Sequence, residues 1–528
     1  MALPKKIGIA GGAMFAFGTL FLGVAFPPIL RSQVKAASKL KNGSEMRDMW
    51  SKLPFPMVFK IYVFNVTNPL ETSKGEKPIV EEVGPYVYDE WLEKLDLVDR
   101  EEDDTVEYST RTTWIFNATK SRPLTGDEIV TVPHLFMLSV IMTAMRDKPS
   151  MISVAGKAID SIFKKPPSMF VETTPNELFF TGLPIDCNVK DFAGTAICTL
   201  LKDSTDLMHL GENRYKFSVF GPRNGTVNTN RVRVKRGLKN VMQVGTVIEY
   251  KGEPQQTVWP EGSRCNVLNG TDGTIFAPYL SEDMDIVSFS TDICRSMSTH
   301  FDGTYTSVGG MHTNHYTADF GDLSTDTEWK CFCDSDDKCP KKGLYDLFKC
   351  LGVPMVVSLP HFYKVDEMYL EQVDGLNPIK RKHQLDIDFE PISGTPLSAR
   401  KRIQFNMFVF PIEKVRTMKT FATALMPLFW IQESITLPKK FLNQVKMLFT
   451  VMTAVKAFKW LTIVTGILMG IAAGGLEWRR CQAEKKVNIT SVQPQSGNGD
   501  NPIPEKKWPL DANALQADQV PPRYEERD

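Results

Sequence analysis

Two long apolar stretches, one near each end of the chain, constrain its fold more than any other feature of the sequence. Residues 7–30 carry no charge, and residues 457–478 carry only two. About 20 apolar residues in a helix cross a bilayer, so each stretch predicts a transmembrane helix. The first ends in two prolines rather than in a small-residue cleavage site, which favours a retained anchor over a signal peptide. We predict residues 31–456 on one side of a membrane and residues 1–6 and 479–528 on the other.

Glycosylation sequons indicate which side is which. Basic residues directly follow the second span, as is typical of a cytosolic flank, but they lie on both sides of the first. Five sequons lie between the spans, and one more, Asn488, follows the second span. We predict that Asn488 is cytosolic and unmodified. We therefore predict an exterior domain with both termini in the cytosol. The sequons between the spans are Asn42, Asn65, Asn117, Asn224 and Asn269.

Eight of the nine cysteines lie between the spans, and four of these lie close together. Cys331, Cys333, Cys339 and Cys350 lack the Cys-x2-4-Cys spacing of zinc sites, and no histidine falls among them. In an exterior domain such thiols form disulfides, and the first two are too close to pair easily with each other. Cys481 directly follows the second span, where a palmitoylated cysteine and a plain cytosolic thiol fit equally well.

Short runs of alternating apolar and polar residues, separated by Gly, Pro and Asn, fill most of the segment between the spans. In residues 401–414, for example, Ile403 and Phe405 fall on one face of a strand. This pattern predicts an antiparallel β domain, in the form of a large barrel. The segment that contains His312 and His315 is predicted to be a polar loop.

Three segments depart from the strand pattern. Residues 132–165 predict two helices that break at Lys148-Pro149, either as a small bundle with an apolar core or as a Met-rich lid near a lipid-like ligand. Residues 418–460 are apolar with scattered lysines and predict a membrane-proximal, partly interfacial helix. Residues 479–528 are rich in Pro, Asn, Gln and charge, which predicts a disordered tail.

The sequence lacks the short motifs that usually mark catalysis. It contains no Gly-x-Ser-x-Gly, His-Glu-x-x-His, Walker A or dinucleotide-binding pattern. Its formal net charge is zero, so no overall basic field favours nucleic acid. We expect a protein that is not an enzyme and that uses no cofactor and no metal.

Several segments resemble the class B scavenger receptor family, which includes fatty acid translocase and the lysosomal integral membrane receptor. The resemblance covers nearly the whole chain before the tail and includes the cysteine cluster. The amino-terminal LPKKIGIAGGAMF and the later MRDMW further resemble the branch found in insect sensory neurons. The other segments are KIYVFNVTNP (60–69), EVGPYVY (82–88), VSLPHFY (357–363) and DFEPISG (388–394).

The resemblance implies a β-barrel ectodomain with a helical apex at residues 132–165 and a hydrophobic tunnel. It implies disulfides between Cys265 and Cys331, between Cys294 and Cys350, and between Cys333 and Cys339. It leaves Cys187 and Cys198 open, either bridged to each other or present as buried thiols. Fatty acid translocase has lipidated cysteines at its amino terminus; this chain has none there, so lipid anchoring is not carried over.

The resemblance also implies a function. The expected protein is an olfactory co-receptor that captures long-chain, lipid-derived odorants at the apex and passes them through the tunnel to the membrane or to an odorant receptor. The alternative is a scavenger-type or adhesion receptor that docks lipoprotein or protein without ligand tunnelling. Expected partners are a fatty acid or fatty-acid-derived pheromone, membrane lipid, an odorant receptor complex and a soluble odorant-binding protein, and the expected location is the plasma membrane of sensory dendrites or cilia. The candidate tunnel entrance comprises Lys164, Lys165, Phe136, Met137, Val140, Ile141 and Phe163.

The two lysines also have a simpler interpretation. Cations are favoured at the carboxyl end of a helix by its dipole, so Lys164 and Lys165 also fit a solvated helix terminus.

Overall fold

The computed structural model describes residues 3–334 and 338–490, with side chains as far as Lys486. It divides into two compact units. One is Leu20–Phe458, and the other joins the chain up to Thr19 with the chain from Lys459.

Short strands and a few helices alternate along the larger unit, and long helices lie at both ends of the chain. The helices are α1 (Leu3–Ala16), α2 (Phe26–Ala37), α3 (Glu45–Ser51), α4 (Pro69–Ser73), α5 (Ala118–Ser121), α6 (Leu135–Asp147), α7 (Ile152–Ile162), α8 (Phe192–Leu201), α9 (Phe348–Leu351), α10 (Glu367–Leu370), α11 (Lys380–His383) and α12 (Lys439–Thr490). The strands are β1 (Met57–Val66), β2 (Val80–Arg100), β3 (Thr105–Phe116), β4 (Val130–Pro133), β5 (Phe170–Thr173), β6 (Leu183–Asp186), β7 (Leu207–Gly211), β8 (Arg214–Phe217), β9 (Val232–Lys235), β10 (Val247–Tyr250), β11 (Ile286–Ser290), β12 (Arg295–Val308), β13 (Met311–Ala318), β14 (Tyr345–Asp346), β15 (Val356–Ser358), β16 (Leu385–Glu390), β17 (Thr395–Val409) and β18 (Ala424–Thr436).

One antiparallel sheet of 13 strands dominates the larger unit. Its main path runs β10-β9-β3-β2-β1-β18-β17-β16-β13-β12-β11, and β15 and β14 extend it beside β17. Two smaller sheets pair β4 with β5 and order the other three strands β6-β8-β7. The predicted antiparallel β domain is therefore confirmed.

A short segment between β10 and β11 brings the two edges of this sheet together. Thr271 bridges to Thr246 on one side and to Ser288 on the other, and its amide donates to the carbonyl oxygen of Val287 at 3.0 Å. Gly270 has φ +85°, and a Cβ there would lie 2.2 Å from the same oxygen, so only glycine fits. The sheet thus forms a nearly closed barrel, which leaves little edge open to other chains.

The predicted membrane-proximal helix over residues 418–460 is wrong in its first half. That half forms β18, a central strand between β1 and β17. Trp430 on one face stacks on Tyr62 of β1 with ring centroids 3.7 Å apart, while Phe429 on the other face is 1 % exposed. A strand that is buried on both faces is apolar throughout, so its composition resembles that of a membrane helix. The helix, α12, begins only at Lys439.

The smaller unit contains helices that approach each other closely. A Cβ on Gly466 would lie 2.8 Å from the carbonyl oxygen of Gly11, and a Cβ on Gly11 would lie 2.9 Å from that of Gly466. Small residues allow such close packing between membrane helices. The helices Leu3–Ala37 and Lys439–Lys486 are long and apolar enough to cross a bilayer, and both extend beyond the predicted spans.

The predicted disordered tail begins too early. α12 continues to Thr490 because the residues after the second span are good helix formers. Arg480 also pairs with Glu484 one turn later, with 3.0 Å between Nε and Oε1. The rest of the predicted tail, residues 491–528, and the side chain of Asn488 lie outside the described residues.

Candidate ligand-binding site

The predicted apex consists of α6 and α7. The ring of His134 caps α6, because its Nδ1 accepts a hydrogen bond from the amide of Met137 at 3.4 Å. Burial lowers the pKa of His134 to about 4, so the ring is a neutral acceptor. The break falls at Lys148-Pro149, where the sequence placed it, since proline has no amide hydrogen to continue the helix.

The apolar residues of the predicted entrance lie between the helices and the rest of the domain, and do not form an open mouth. Met137 and Ile141 are at most 1 % exposed and belong to the main core. Phe136 is buried with its ring 6.1 Å from that of Phe163. Phe163 and Val140 are half-buried and contact both the main core and the smaller core around α8. Of the apolar entrance residues, Val140 and Phe163 are the most exposed.

Lys164 and Lys165 follow α7 in a tight turn. Both are exposed, with φ of +54° and +60°. Arg416 holds the turn from outside by donating to Asp160 at 2.6 Å and to the carbonyl oxygen of Pro166 at 2.7 Å. Neither lysine ammonium has a hydrogen-bond or ion-pair partner among the described residues. The turn therefore presents two unpaired cations at the surface.

The strand register defines the inner face of the barrel, because paired residues and every second residue share a face. Phe59 of β1 pairs with Tyr88 of β2 and with Glu433 of β18. Phe405 of β17 pairs with Phe429 of β18. Phe59, Tyr88 and Phe429 are at most 2 % exposed and belong to the main core. The face that carries these residues is therefore the inner one.

Aromatic rings line much of this inner face. Phe220, which follows β8, lies with its ring centroid 5.4 Å from Phe59 and 5.3 Å from Trp114. The rings of Phe405 and Phe429 stack at 4.8 Å. Such a wall offers large apolar area with few polar groups, which is the surface that a long hydrocarbon chain requires.

Three ionisable side chains interrupt the aromatic wall. Lys401 lies directly opposite Glu433 in the register, with 3.1 Å between Nζ and Oε2. Glu90 of β2 is 4 % exposed; its Oε1 accepts from the indole of Trp114 at 3.1 Å, and its Oε2 has no hydrogen-bond partner among the described residues. We call Glu90, Lys401 and Glu433 the interior polar cluster.

The sequence reasoning missed this cluster, although a signal for it was present. Ile403 and Phe405 were recognised as alternating positions of one face, and Lys401 continues the same alternation by two residues. A lysine on an otherwise apolar face was the available sign of a polar group inside the barrel.

A buried ion pair lies where the sheet closes. Asp272 accepts hydrogen bonds from the indole of Trp50 at 3.0 Å and from the hydroxyl of Tyr108 at 2.9 Å. Lys94 Nζ lies 3.4 Å from the same carboxylate, and the two charged side chains are 3 % and 4 % exposed. This arrangement connects β2, β3 and α3 to the closing segment.

Four disulfides cross-link the domain. Three join the same cysteines that the resemblance paired, and the fourth joins Cys187 to Cys198, which the sequence left open. The last closes a loop of 11 residues around the start of α8, worth about 3 kcal/mol in the chain-entropy model. The Cα–Cα distances are 5.7 Å for Cys187–Cys198, 6.0 Å for Cys265–Cys331, 5.7 Å for Cys294–Cys350 and 4.8 Å for Cys333–Cys339. Cys481 is an exposed free thiol.

The sequons between the spans differ in how free the asparagine amide is. Asn42 and Asn269 are exposed. Asn117 and Asn224 use Nδ2 in hydrogen bonds, to a carboxylate of β2 at 2.8 Å and to a carbonyl oxygen of β3 at 3.3 Å. Asn65 is half-buried and accepts from an amide of β4 at 2.8 Å. Because a glycan attaches to Nδ2, the exposed pair offers the freest acceptors.

One histidine cluster has the composition of a metal site, but most of its ligand atoms already take part in hydrogen bonds. Glu82, His361 and His383 place their ligand atoms within 4.8 Å of one another. The Nδ1 atoms of both rings accept backbone amides, from Asn377 at 3.1 Å and from Ile379 at 3.0 Å. The proton of each neutral ring therefore resides on Nε2, and that of His361 is donated to Glu82 at 2.6 Å. His361 is therefore hydrogen-bonded to Glu82, and the His383 ring stacks on the His361 ring with centroids 4.3 Å apart.

The predicted polar loop around His312 and His315 is wrong, since both lie in β13. The sequence is polar because this face carries a charge network. His315 Nδ1 lies 2.7 Å from Asp388, and Arg402 donates to Asp386 at 2.9 Å. These partners occupy the carboxylates that a metal would need.

Comparison with known proteins identifies the family. The model of the CD36 family matches residues 9–476. The chain belongs to the CD36 family. It is 50 % identical over 525 residues to Sensory neuron membrane protein 1 of Apis mellifera, covering 99 % of both chains. It is 45 % identical over 475 residues to the protein of that name from Mamestra brassicae, covering 89 % of this chain and 90 % of that one. The corresponding Manduca sexta protein is 43 % identical over 507 residues, covering 94 % of this chain and 96 % of that one.

The expected family is thereby confirmed. Together with the two helices that are long enough to span a bilayer, it makes this chain a two-pass membrane protein with a β-barrel domain between its spans.

Proposed function

We propose that the protein is a receptor of the sensory neuron membrane that captures long-chain, lipid-derived odorants at the helical apex and passes them through the barrel to the membrane or to an odorant receptor. The aromatic inner wall of the nearly closed barrel carries this proposal. Each methylene that leaves water for such a wall contributes about 0.8 kcal/mol, so a long chain partitions into it strongly. The names of the similar proteins support the cellular location.

The apex supplies the first contact. The unpaired ammonium groups of Lys164 and Lys165 orient the oxygen of an arriving ligand, and the half-buried Val140 and Phe163 receive its chain. A soluble odorant-binding protein delivers the ligand, and neither nucleic acid nor catalysis has a part. Both termini lie in the cytosol, and the location is the plasma membrane of the sensory dendrite or cilium.

The test uses the full chain in lipid nanodiscs. Native mass spectrometry follows the uptake of a long-chain acetate ester, and the double variant Lys164→Ala/Lys165→Ala should take it up more slowly. Lys157→Ala, an exposed lysine on α7, is the matched control and should behave as the unmodified protein does. An empty, correctly disulfide-bonded protein would refute the carrier function, and unchanged uptake in the double variant would refute the role of the lysines alone.

A second candidate function is docking of a protein partner at the apex. It is favoured by α8, where Phe192 and Leu200 are 79 % and 74 % exposed, because apolar side chains this open usually mark a contact surface. Two variants separate the functions. Ile403→Trp fills the interior and should stop ligand transfer but not docking, whereas Phe192→Ser/Leu200→Ser should stop docking alone.

A further inference from the structure

The interior polar cluster lies on the wall of an internal space. Lys401 and Glu433 lie on the inner face of the sheet, yet 38 % of the Lys401 side chain and 29 % of the Glu433 side chain are accessible. Accessible side chains on the inner face of a nearly closed barrel face the space that the barrel encloses. The ion pair therefore faces the path that the proposed function requires.

We propose that Lys401 and Glu433 form a docking point inside the barrel for the carbonyl or hydroxyl oxygen of an uncharged head group at the end of a long apolar chain. This inference rests on the proposed function, because it assumes that ligands enter the barrel. It adds to that function a prediction of the class of ligand that the barrel interior retains.

The geometry explains why an oxygen would stop here. An ammonium group has three donors, and the only partner of Lys401 among the described residues is Glu433, at 3.1 Å. The positions that follow Lys401 on the same face of β17, Ile403 and Phe405, are apolar and offer the remaining donors no partner. A ligand oxygen that has left water regains a charge-assisted hydrogen bond at this point, whereas a plain hydrocarbon gains nothing.

The charge balance explains why the head group should be uncharged. Glu433 already neutralises Lys401, and its carboxylate raises the pKa of that lysine, which keeps the ammonium charged. Burial, reinforced by Glu433, raises the pKa of Glu90 well above its usual range, so Glu90 stays neutral. Asp292 adds a negative charge that acts on both Glu90 and Lys401. A carboxylate head group would meet two negative charges and one positive, and would be disfavoured.

The apex has the opposite balance. Its two lysines carry no partner among the described residues, so they attract an uncharged oxygen and, more strongly, a carboxylate. Selection against a carboxylate head group is therefore specific to the interior of the barrel. Substitutions at Lys401 or Glu433 should change the preference between head groups and not the capture of ligand at the apex.

The experiment measures displacement of a fluorescent long-chain probe from the full chain in nanodiscs. The competitors are an acetate ester, a carboxylate and an alkane of matched chain length. The unmodified protein should bind the ester about 10-fold more tightly than the alkane, as one charge-assisted hydrogen bond provides. Lys401→Met should abolish this preference while the affinity for the alkane stays constant. Lys60→Met, on the outer face of β1, is the matched control and should change nothing.

Glu433→Gln is the deciding variant, because it keeps the shape and removes the charge. Only Asp292 then opposes the charge of Lys401, and the preference should move toward the carboxylate by about 10-fold. An unchanged order of affinities in Glu433→Gln, with normal displacement by all three competitors, would overturn the inference and leave the carrier function intact. Failure of every competitor to displace the probe from the unmodified protein would instead refute the carrier function itself.

Discussion

Replacing Asp272 with asparagine should weaken the barrel at the point where its sheet closes. Asp272 directly follows Thr271, the residue that bridges the two edges. Its carboxylate accepts hydrogen bonds from Trp50 and Tyr108 and lies 3.4 Å from the ammonium of Lys94. Asparagine keeps the shape of the side chain but removes the charge.

The expected loss of stability in Asp272→Asn follows from the burial of the ion pair. Removing one partner of a buried, hydrogen-bonded ion pair costs about 3–5 kcal/mol, because the other charge stays buried without compensation. Burial lowers the pKa of Lys94, and Asp272 opposes that shift. Without Asp272 the folded-state pKa of Lys94 should fall further, while the unfolded value stays near 10.4. The penalty is therefore complete below the folded-state pKa and should shrink as the pH rises toward the unfolded value.

A double-variant cycle tests this reasoning. Denaturant unfolding of the full chain in detergent is monitored by tryptophan fluorescence. The free energy of unfolding should fall strongly in Asp272→Asn and recover in part in Lys94→Met/Asp272→Asn. The exposed pair of Lys77 and Asp374 is the control, because its loss in Asp374→Asn should cost at most about 1 kcal/mol. Equal midpoints for the unmodified protein and Asp272→Asn, or a double variant less stable than Asp272→Asn, would refute the account.

Three further predictions concern other parts of the molecule. Asn269→Gln should remove a glycan and increase gel mobility, whereas Asn224→Gln should not, because the Asn224 amide is already hydrogen-bonded; equal shifts would contradict this order. Breaking the Cys187–Cys198 bridge with two alanines should destabilise the apex by about 3 kcal/mol, seen as faster proteolysis around α8 with the barrel still resistant. Gly466→Leu should separate the helices that approach at this glycine and lower the thermal stability of the full chain, and an unchanged melting temperature would contradict that contact.

The β architecture was predictable because the two faces of its strands have different surroundings. On β17 the inward residues Ile403 and Phe405 are apolar. The outward Gln404 and Asn406 are polar even though they are buried, since they hydrogen-bond to each other at 2.7 Å. Alternation in the sequence reflects this division, whether or not the polar face reaches water.

Closure of the barrel was not predictable by the same reasoning. The segment around Asp272 has the composition of an exposed turn, NGTDGT, and nothing local distinguishes it from one. Its role depends on Lys94 and Trp50, which are distant in sequence and reach it only after folding. The strand β18 was not predicted for a related reason. Burial on both faces removed the alternation of apolar and polar residues that identifies a strand.

The two sets of lysines along the proposed path differ in a way that sequence composition does not reveal. Lys164 and Lys165 lack acidic partners among the described residues, so they add a local positive field that should speed capture of any oxygen-bearing ligand. Lys401 is matched to Glu433, so its field is short-ranged and its effect depends on direct contact. Losing the apex lysines should therefore slow uptake without reordering affinities, whereas losing Glu433 should reorder affinities without slowing uptake. Because no hydrogen bond or ion pair among the described residues links the two sites, their effects should add when combined, and a strong departure from additivity would mean that a single site controls both steps.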